Sequence, residues 1–214
     1  MAETFKFTDE RFADIQMLRY RLDGFEDLTL KQKLYTYYLA KATLCGRDIV
    51  TDQFGRHNLL IRKTLEAVYE NFVGDRTSHD FQSMTVYLKR VWFSNGIHHH
   101  YGCEKFVPDF SEPFFIEAVR QVGADKLPLA EGQTVDSLLD ELCPVIFNPS
   151  VQAKRVNQKD GDDLVKTSAC NYYEDLSQKE VEDFYASMRN PENLTPISYG
   201  LNSTLRKHAD GTIQ

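Results

Sequence analysis

No histidine in this sequence is followed by glutamate. The residues after the six are Asn58, Asp80, His99, His100, Tyr101 and Ala209. A metal-hydrolase helix of the His-Glu-x-x-His kind, with two imidazoles one turn apart and a carboxylate to polarise bound water, is therefore excluded, as is its variant one residue longer. There is no Cys-x-x-Cys pair, no Gly-x-Ser-x-Gly elbow and no glycine-rich phosphate loop. Nor is there an apolar run near the roughly 20 residues that cross a bilayer, and the acidic opening Met1-Ala2-Glu3-Thr4 has no hydrophobic targeting region. Positive charge is also short: 25 Lys and Arg stand against 32 Asp and Glu, a net charge of −7. The densest basic pair, Lys89-Arg90, reads as a solvated helix face, so neither nucleic acid nor membrane is an expected partner. Cys45, Cys103, Cys143 and Cys170 are far apart in the chain and read as free thiols. The expected location is the cytoplasm, or the periplasm if a leader has been removed.

What is present is a chain of 214 residues, 42% hydrophobic and 27% charged, enough to build a buried core. Residues 1–28 are polar, and Phe12, Ile15, Leu18 and Leu22 fit helical spacing as well as Ile15, Met17, Tyr20 and Leu22 fit an extended segment. Thr29 with Gln32 is a capping-box pattern. It opens a helix to about Asp48 whose Leu34, Tyr37, Tyr38, Lys41, Leu44 and Cys45 form one stripe. A second helix, His57 to Phe72, aligns Leu60, Ile61, Leu65, Val68 and Phe72, with Gly74 beyond its end. A third starts near Ser78 and turns Phe81, Met84, Tyr87, Leu88 and Val91 inward. Ser111 and Pro113 start a fourth, stopped by Gly123, and Thr134 caps a fifth, Val135 to Leu142, ended by Pro144.

Between Asn148 and Asp163 the periodicity is lost, and an exposed loop is expected. Its acidic run Asp160-Gly161-Asp162-Asp163 lacks the closing glutamate and flanking helices of a calcium loop. β-type signals follow at Leu164–Thr167 and Asn171–Tyr173, then a helix boxed by Ser177 and Glu180. A strand is expected from Ile197 to Arg206, a turn at Asp210-Gly211, and a returning strand at Thr212–Gln214, cut before its partner is complete. The expected fold is mainly α with a small C-terminal β element. Its expected divisions are a helical domain 1–147, a loop 148–163 and a strand–helix–strand unit 164–214.

The candidate functional segment is Val91-Trp92-Phe93-Ser94-Asn95-Gly96-Ile97-His98-His99-His100-Tyr101-Gly102-Cys103-Glu104-Lys105-Phe106-Val107-Pro108, a polar aromatic loop on the end of a rigid helix. Three successive imidazoles on a helix point about 100° apart and cannot converge on one ion. In an extended segment His98 and His100 share a face, and Cys103 would have to fold back to join them. The plainer alternative is that one or two rings cap the third helix through its free carbonyls. No catalytic and no metal-ligating residue is assigned. Asn95, His98, His99, His100 and Tyr101 are the candidates for lining a peptide cleft.

This segment resembles a stretch near the start of dipeptidyl peptidase III enzymes, in the versions found in bacterial members. Three further pieces resemble that family in the same order: Leu28–Tyr35 through Ala42–Asp48, Thr167–Tyr172, and Ile197–Ser203. The resemblance implies a two-lobed zinc metallopeptidase that removes dipeptides from peptide N-termini, with the metal on a His-Glu-x-x-x-His helix and a later Glu-Glu motif. Neither matches a position here. The chain is thus expected to be the N-terminal part of the non-zinc lobe, inactive by itself. It would need no cofactor of its own, while its parent uses zinc and short peptides. Its partner is the remainder of that polypeptide. The alternatives are a free-standing helical interaction module and a histidine/cysteine metal-binding protein. Thiol titration of denatured, unreduced protein is expected to find all four cysteines reactive; a count of two or none would show disulfides.

Overall fold

A computed structural model describes residues 5–193 and 204–214. It is mainly helical with two small sheets and divides into two compact units, Met1–Arg47 and Asp48–Gln214. The division thus falls after Arg47, where the sequence pointed to 148–163.

In the first unit the open reading of residues 1–28 resolves to a hairpin. Strand β1 (Thr8–Phe12) pairs antiparallel with β2 (Ile15–Leu18), with Phe12 opposite Ile15 and Arg11 opposite Gln16. Ala13 makes the reversal at φ 47°. Helix α1 (Leu30–Cys45) begins with the expected box: the Thr29 hydroxyl accepts from Gln32 N at 3.3 Å, and the Gln32 side chain accepts from Thr29 N at 2.9 Å. The helix ends at Cys45, before Gly46, and a separate helix α2 (Arg47–Phe54) follows. No residue of α1 is buried. Its predicted stripe exists as a pattern, yet Leu34, Tyr37, Tyr38 and Leu44 are all about half exposed or more.

The core of the second unit is built by α3 (Asn58–Asn71), α4 (His79–Ser94), α5 (Glu112–Gln121) and α6 (Val135–Phe147). Ile61, Leu65 and Val68 of α3, Met84, Leu88 and Val91 of α4, Phe115 of α5, and Leu138, Leu142 and Ile146 of α6 are fully buried. These are the positions that 3.6-residue spacing places on one face of each helix. Phe110 ties the layers, its ring centroid 5.4 Å from Tyr87 and 5.5 Å from Phe147. Ser78, Ser111 and Thr134 cap α4, α5 and α6 as their sequence positions indicate. Pro144 does not end α6, which continues to Phe147. A proline inside a helix costs about 3 kcal/mol. Continuing buries Val145 and Ile146, each contributing about 1.5–3 kcal/mol, so burial wins.

Two further readings are corrected. Residues 151–157 are mostly half-buried rather than an open loop, because their backbone pairs with the segment around Cys103. Leu164–Thr167 is a short helix, α7, because Asp163 caps it: its Oδ1 accepts from Lys166 N at 2.9 Å and from Gln178 N at 3.1 Å. That local cap outweighs the β preference of Val165 and Thr167. Helix α8 (Gln178–Ser187) carries the expected Ser177–Glu180 box. Strand β3 (Tyr173–Glu174) runs parallel to β4 (Leu205–Arg206), and Leu176, Val181 and Leu205 close a small second cluster. Most of the expected strand Ile197–Arg206 lies outside the described residues. Its turn is described: Gly211 sits at φ +88°, His208 N donates to Thr212 O at 2.8 Å, and Arg206 exchanges both backbone bonds with Gln214.

Truncating Leu65 to Ala is expected to destabilise the protein by about 3 kcal/mol, as for a fully buried leucine. Tyr38→Ala on α1 is expected to change stability by no more than about 0.5 kcal/mol. Urea denaturation of both variants checks the contrast. Equal losses would show that α1 is packed.

Candidate functional site

The histidine segment is held from below by the start of α3. Helix α4 ends at Ser94, and Asn95 takes the left-handed conformation at φ 53°, a common helix stop. Gly96 follows at φ +152°, and a Cβ there would lie 2.3 Å from Nδ2 of Asn58. Asn58, only 1% exposed, accepts from Ile97 N at 3.2 Å. The glycine is therefore needed for close approach as well as for its dihedral. At the end of α4 the Val91 carbonyl is met by backbone, accepting from Asn95 N and from Gly96 N, the latter at 3.0 Å.

The chain then folds into a narrow antiparallel ribbon. Phe106 N donates to Ile97 O at 2.8 Å, His99 N to Glu104 O at 2.7 Å and Cys103 N to His99 O at 3.0 Å, with Cys103 at φ 63° closing the turn. A third segment lies beside it: Lys105 N donates to Ala153 O at 3.1 Å and Arg155 N to Cys103 O at 2.9 Å. A fourth joins through Ala169 N to Lys154 O at 3.0 Å and Cys170 N to Arg155 O at 3.2 Å. Four pieces of chain, three of them read as loop from the sequence, thus share one irregular ladder.

The five expected cleft residues occupy different environments. Tyr101 is 85% exposed, while Asn95, His99 and His100 are half-buried. His98 is 1% exposed and belongs to the interior, which corrects its placement on the surface. Its Nε2 donates to Gln152 O at 2.6 Å, and its Nδ1 is buried without a hydrogen-bond partner. Gln152, at φ 51°, also donates from Nε2 to His57 Nδ1 at 2.8 Å, and His57 Nε2 stands 3.7 Å from Glu141. His99 Nδ1 accepts from both Tyr101 N and Gly102 N, at 3.2 and 3.1 Å, so its proton is on Nε2. The His100 ring stacks on His99 at 4.4 Å, lies 4.4 Å from Tyr101 and meets the edge of Phe93 at 4.9 Å. Phe93, His100 and Tyr101 form a continuous aromatic strip, and Phe93 and Tyr101 expose it to solvent.

Three basic residues organise this region, and none was singled out in the sequence. The Lys105 ammonium donates to Val145 O, Asn148 O and Val151 O at 2.7, 2.5 and 2.8 Å. Burial lowers its pKa to about 8. Arg155 stacks on Phe54 at 4.4 Å and donates to His100 O at 3.2 Å and to the Cys103 sulfur at 3.4 Å. Lys154 pairs with Glu104 at 2.5 Å, which holds that carboxyl below its ordinary range. No local pattern marks such roles, because each partner is about 40 residues or more away.

The residues fit a metal poorly. His98 spends one ring nitrogen on a carbonyl, and its other is sealed in the core. His99 uses Nδ1 for two amide protons. Among the described residues no three His, Cys, Asp or Glu side chains are grouped to hold an ion. Aromatic contact and hydrogen bonding through exposed main chain and side chain are what the strip can offer. The chain matches no protein-family model and no curated protein.

Burial, with smaller contributions from Lys105 and Arg155, lowers the His98 pKa to about 4, against the opposing bond to Gln152. Between pH 6.5 and 4 the unfolded chain therefore binds a proton that the folded chain refuses. Stability is full above 6.5 and falls as the pH drops through this window, by at most about 3 kcal/mol from this ring. His57, also lowered by burial, acts in the same direction. Urea unfolding at pH 7, 5.5 and 4.5 is expected to show the loss, and His98→Asn to flatten it. An unchanged slope in the variant would place the acid sensitivity elsewhere.

Proposed function

We propose that this chain is the N-terminal part of the non-zinc lobe of a dipeptidyl peptidase III-type enzyme. In the parent it would form part of the wall of the peptide cleft and support a substrate-binding β core. The single observation that carries this reading is the ordered set of four sequence stretches resembling that family, with Val91–Pro108 the fullest. The mainly helical architecture with small sheets agrees with it in outline. So does the exposed strip at Tyr101, His100 and Phe93, which offers aromatic and main-chain contacts suited to an extended peptide. His99, His100, Tyr101 and Asn95 are the residues proposed to face the peptide, with His98 beneath them as support.

No residue of this chain is assigned a chemical step. The zinc of the parent would be held by motifs that match no position here, and the histidine loop does not fit that ion. A second reading, a helical interaction module, is favoured by one observation: the apolar stripe of α1 contains no buried residue.

The decisive test is to read the coding frame past Gln214 for His-Glu-x-x-x-His. In the full-length parent, His100→Ala with Tyr101→Ala is expected to raise KM for a dipeptidyl arylamide at least threefold, with Tm shifted by only a few degrees. The 214-residue chain with added zinc should release no dipeptide above background. Chelator-sensitive turnover by this chain, or unchanged KM in the double variant, would sink the reading.

A further inference from the structure

A cavity of about 280 Å³ lies in the C-terminal part of the second unit. Leu164 and Val165 of α7, Val181 of α8, Val156, and the side chains of Tyr172 and Tyr173 make its wall chiefly apolar. The volume is near the lower end for small-molecule pockets, with room for one aromatic ring or a branched alkyl chain. Burial raises the Cys170 thiol on the same wall, and raises Tyr173, as expected of a weakly hydrated recess.

One charge is placed on this wall, Glu182. Three other carboxylates of this region are ion-paired, Glu174 with Arg206, Glu180 with Lys207 at 2.6 Å and Asp183 with Lys179 at 2.7 Å, and Asp163 is committed to the backbone amides of Lys166 and Gln178. Glu182 accepts from a neutral amide, Gln178 Nε2, at 2.8 Å, and the cation whose charge reaches it, Lys179, is hydrogen-bonded to Asp183 and not to Glu182. An apolar recess with a carboxylate lacking a bonded cation is complementary to a molecule with the opposite arrangement. We infer that this pocket binds a hydrophobic primary ammonium group, with the apolar portion in the recess and the cation against Glu182. Such a group is carried by a free arylalkyl amine and by the N-terminal residue of a peptide with a large apolar side chain. The inference stands whether or not the chain belongs to a peptidase.

The test is an amide chemical-shift titration of the intact 214-residue chain with phenethylamine, N-acetylphenethylamine and the tripeptide Phe-Gly-Gly. Phenethylamine is expected to shift resonances at Val156 and within 164–182, and the acetylated analogue, which has no charge, to bind at least about fivefold more weakly. Glu182→Gln, on an exposed helix position, should weaken phenethylamine by about fivefold, near the upper range for a partly exposed charge pair, with Tm unchanged. Tyr173→Ala should weaken all three probes alike. Tighter binding of the tripeptide identifies peptide N-termini as the source, and tighter binding of the amine identifies free amines. The inference is overturned if the acetylated probe binds as well as the amine, if Glu182→Gln has no effect, or if the shifts fall outside Val156 and 164–182.

Discussion

The Lys105 ammonium, set among the carbonyls of Val145, Asn148 and Val151, is the contact on which the central region of the second unit depends. Those oxygens belong to the last turn of α6 and the bend that follows it, where backbone acceptors have no partner inside the helix. A single cation thus ends the helix, fixes the bend and places residues 152–155 beside the ribbon that contains Lys105 itself. Drawing an ammonium partly out of water is unfavourable, which is why its pKa falls. Three charge-assisted hydrogen bonds offset that cost only in part, since the pKa stays lowered.

From this anchoring follows the state of the histidine segment. Once residues 152–155 are in place, the Gln152 carbonyl lies over the ribbon and His98 must point inward to reach it. The ring is then neutral by necessity, since a buried imidazolium would have two cations, Lys105 and Arg155, as neighbours. His99 is committed to the turn through its Nδ1. Only past these two positions does the chain present side chains outward. Three consecutive histidines therefore serve as an interior strut, a turn lock and part of an aromatic surface.

Separation of these roles bears on function. A polar aromatic loop on a rigid helix invited a recognition reading for Asn95, His98, His99, His100 and Tyr101. Tertiary structure leaves Asn95, His99, His100 and Tyr101 at least partly exposed and buries His98 in the interior. The peptidase reading rests on ordered sequence resemblance together with an architecture that agrees in outline. The apolar pocket near Glu182 adjoins the ladder through Cys170 and Val156, and its remaining wall comes from α7, α8 and Tyr172–Tyr173.

Much of the helical core was legible in the sequence because local rules and burial agree there. Ser78, Ser111 and Thr134 mark starts that a hydroxyl can cap, and Ile61, Leu65, Val68, Met84 and Leu88 recur at the spacing of one helix face. Where signals conflict, the energetically larger contact decided, whether it was long-range or local. Pro144 was overruled by the burial of Ile146, and the extended bias of Val165 by the Asp163 carboxylate. The stripe of α1 was readable as a pattern, but a pattern does not specify a partner. The sequence by itself determined which residues could form helices and which ring types stand in the loop. Only the tertiary structure decided that Lys105 meets α6 and that Gln152 meets both His57 and His98. Those contacts join residues about 40 to 95 positions apart, a distance at which spacing along the chain carries no information about neighbours in space.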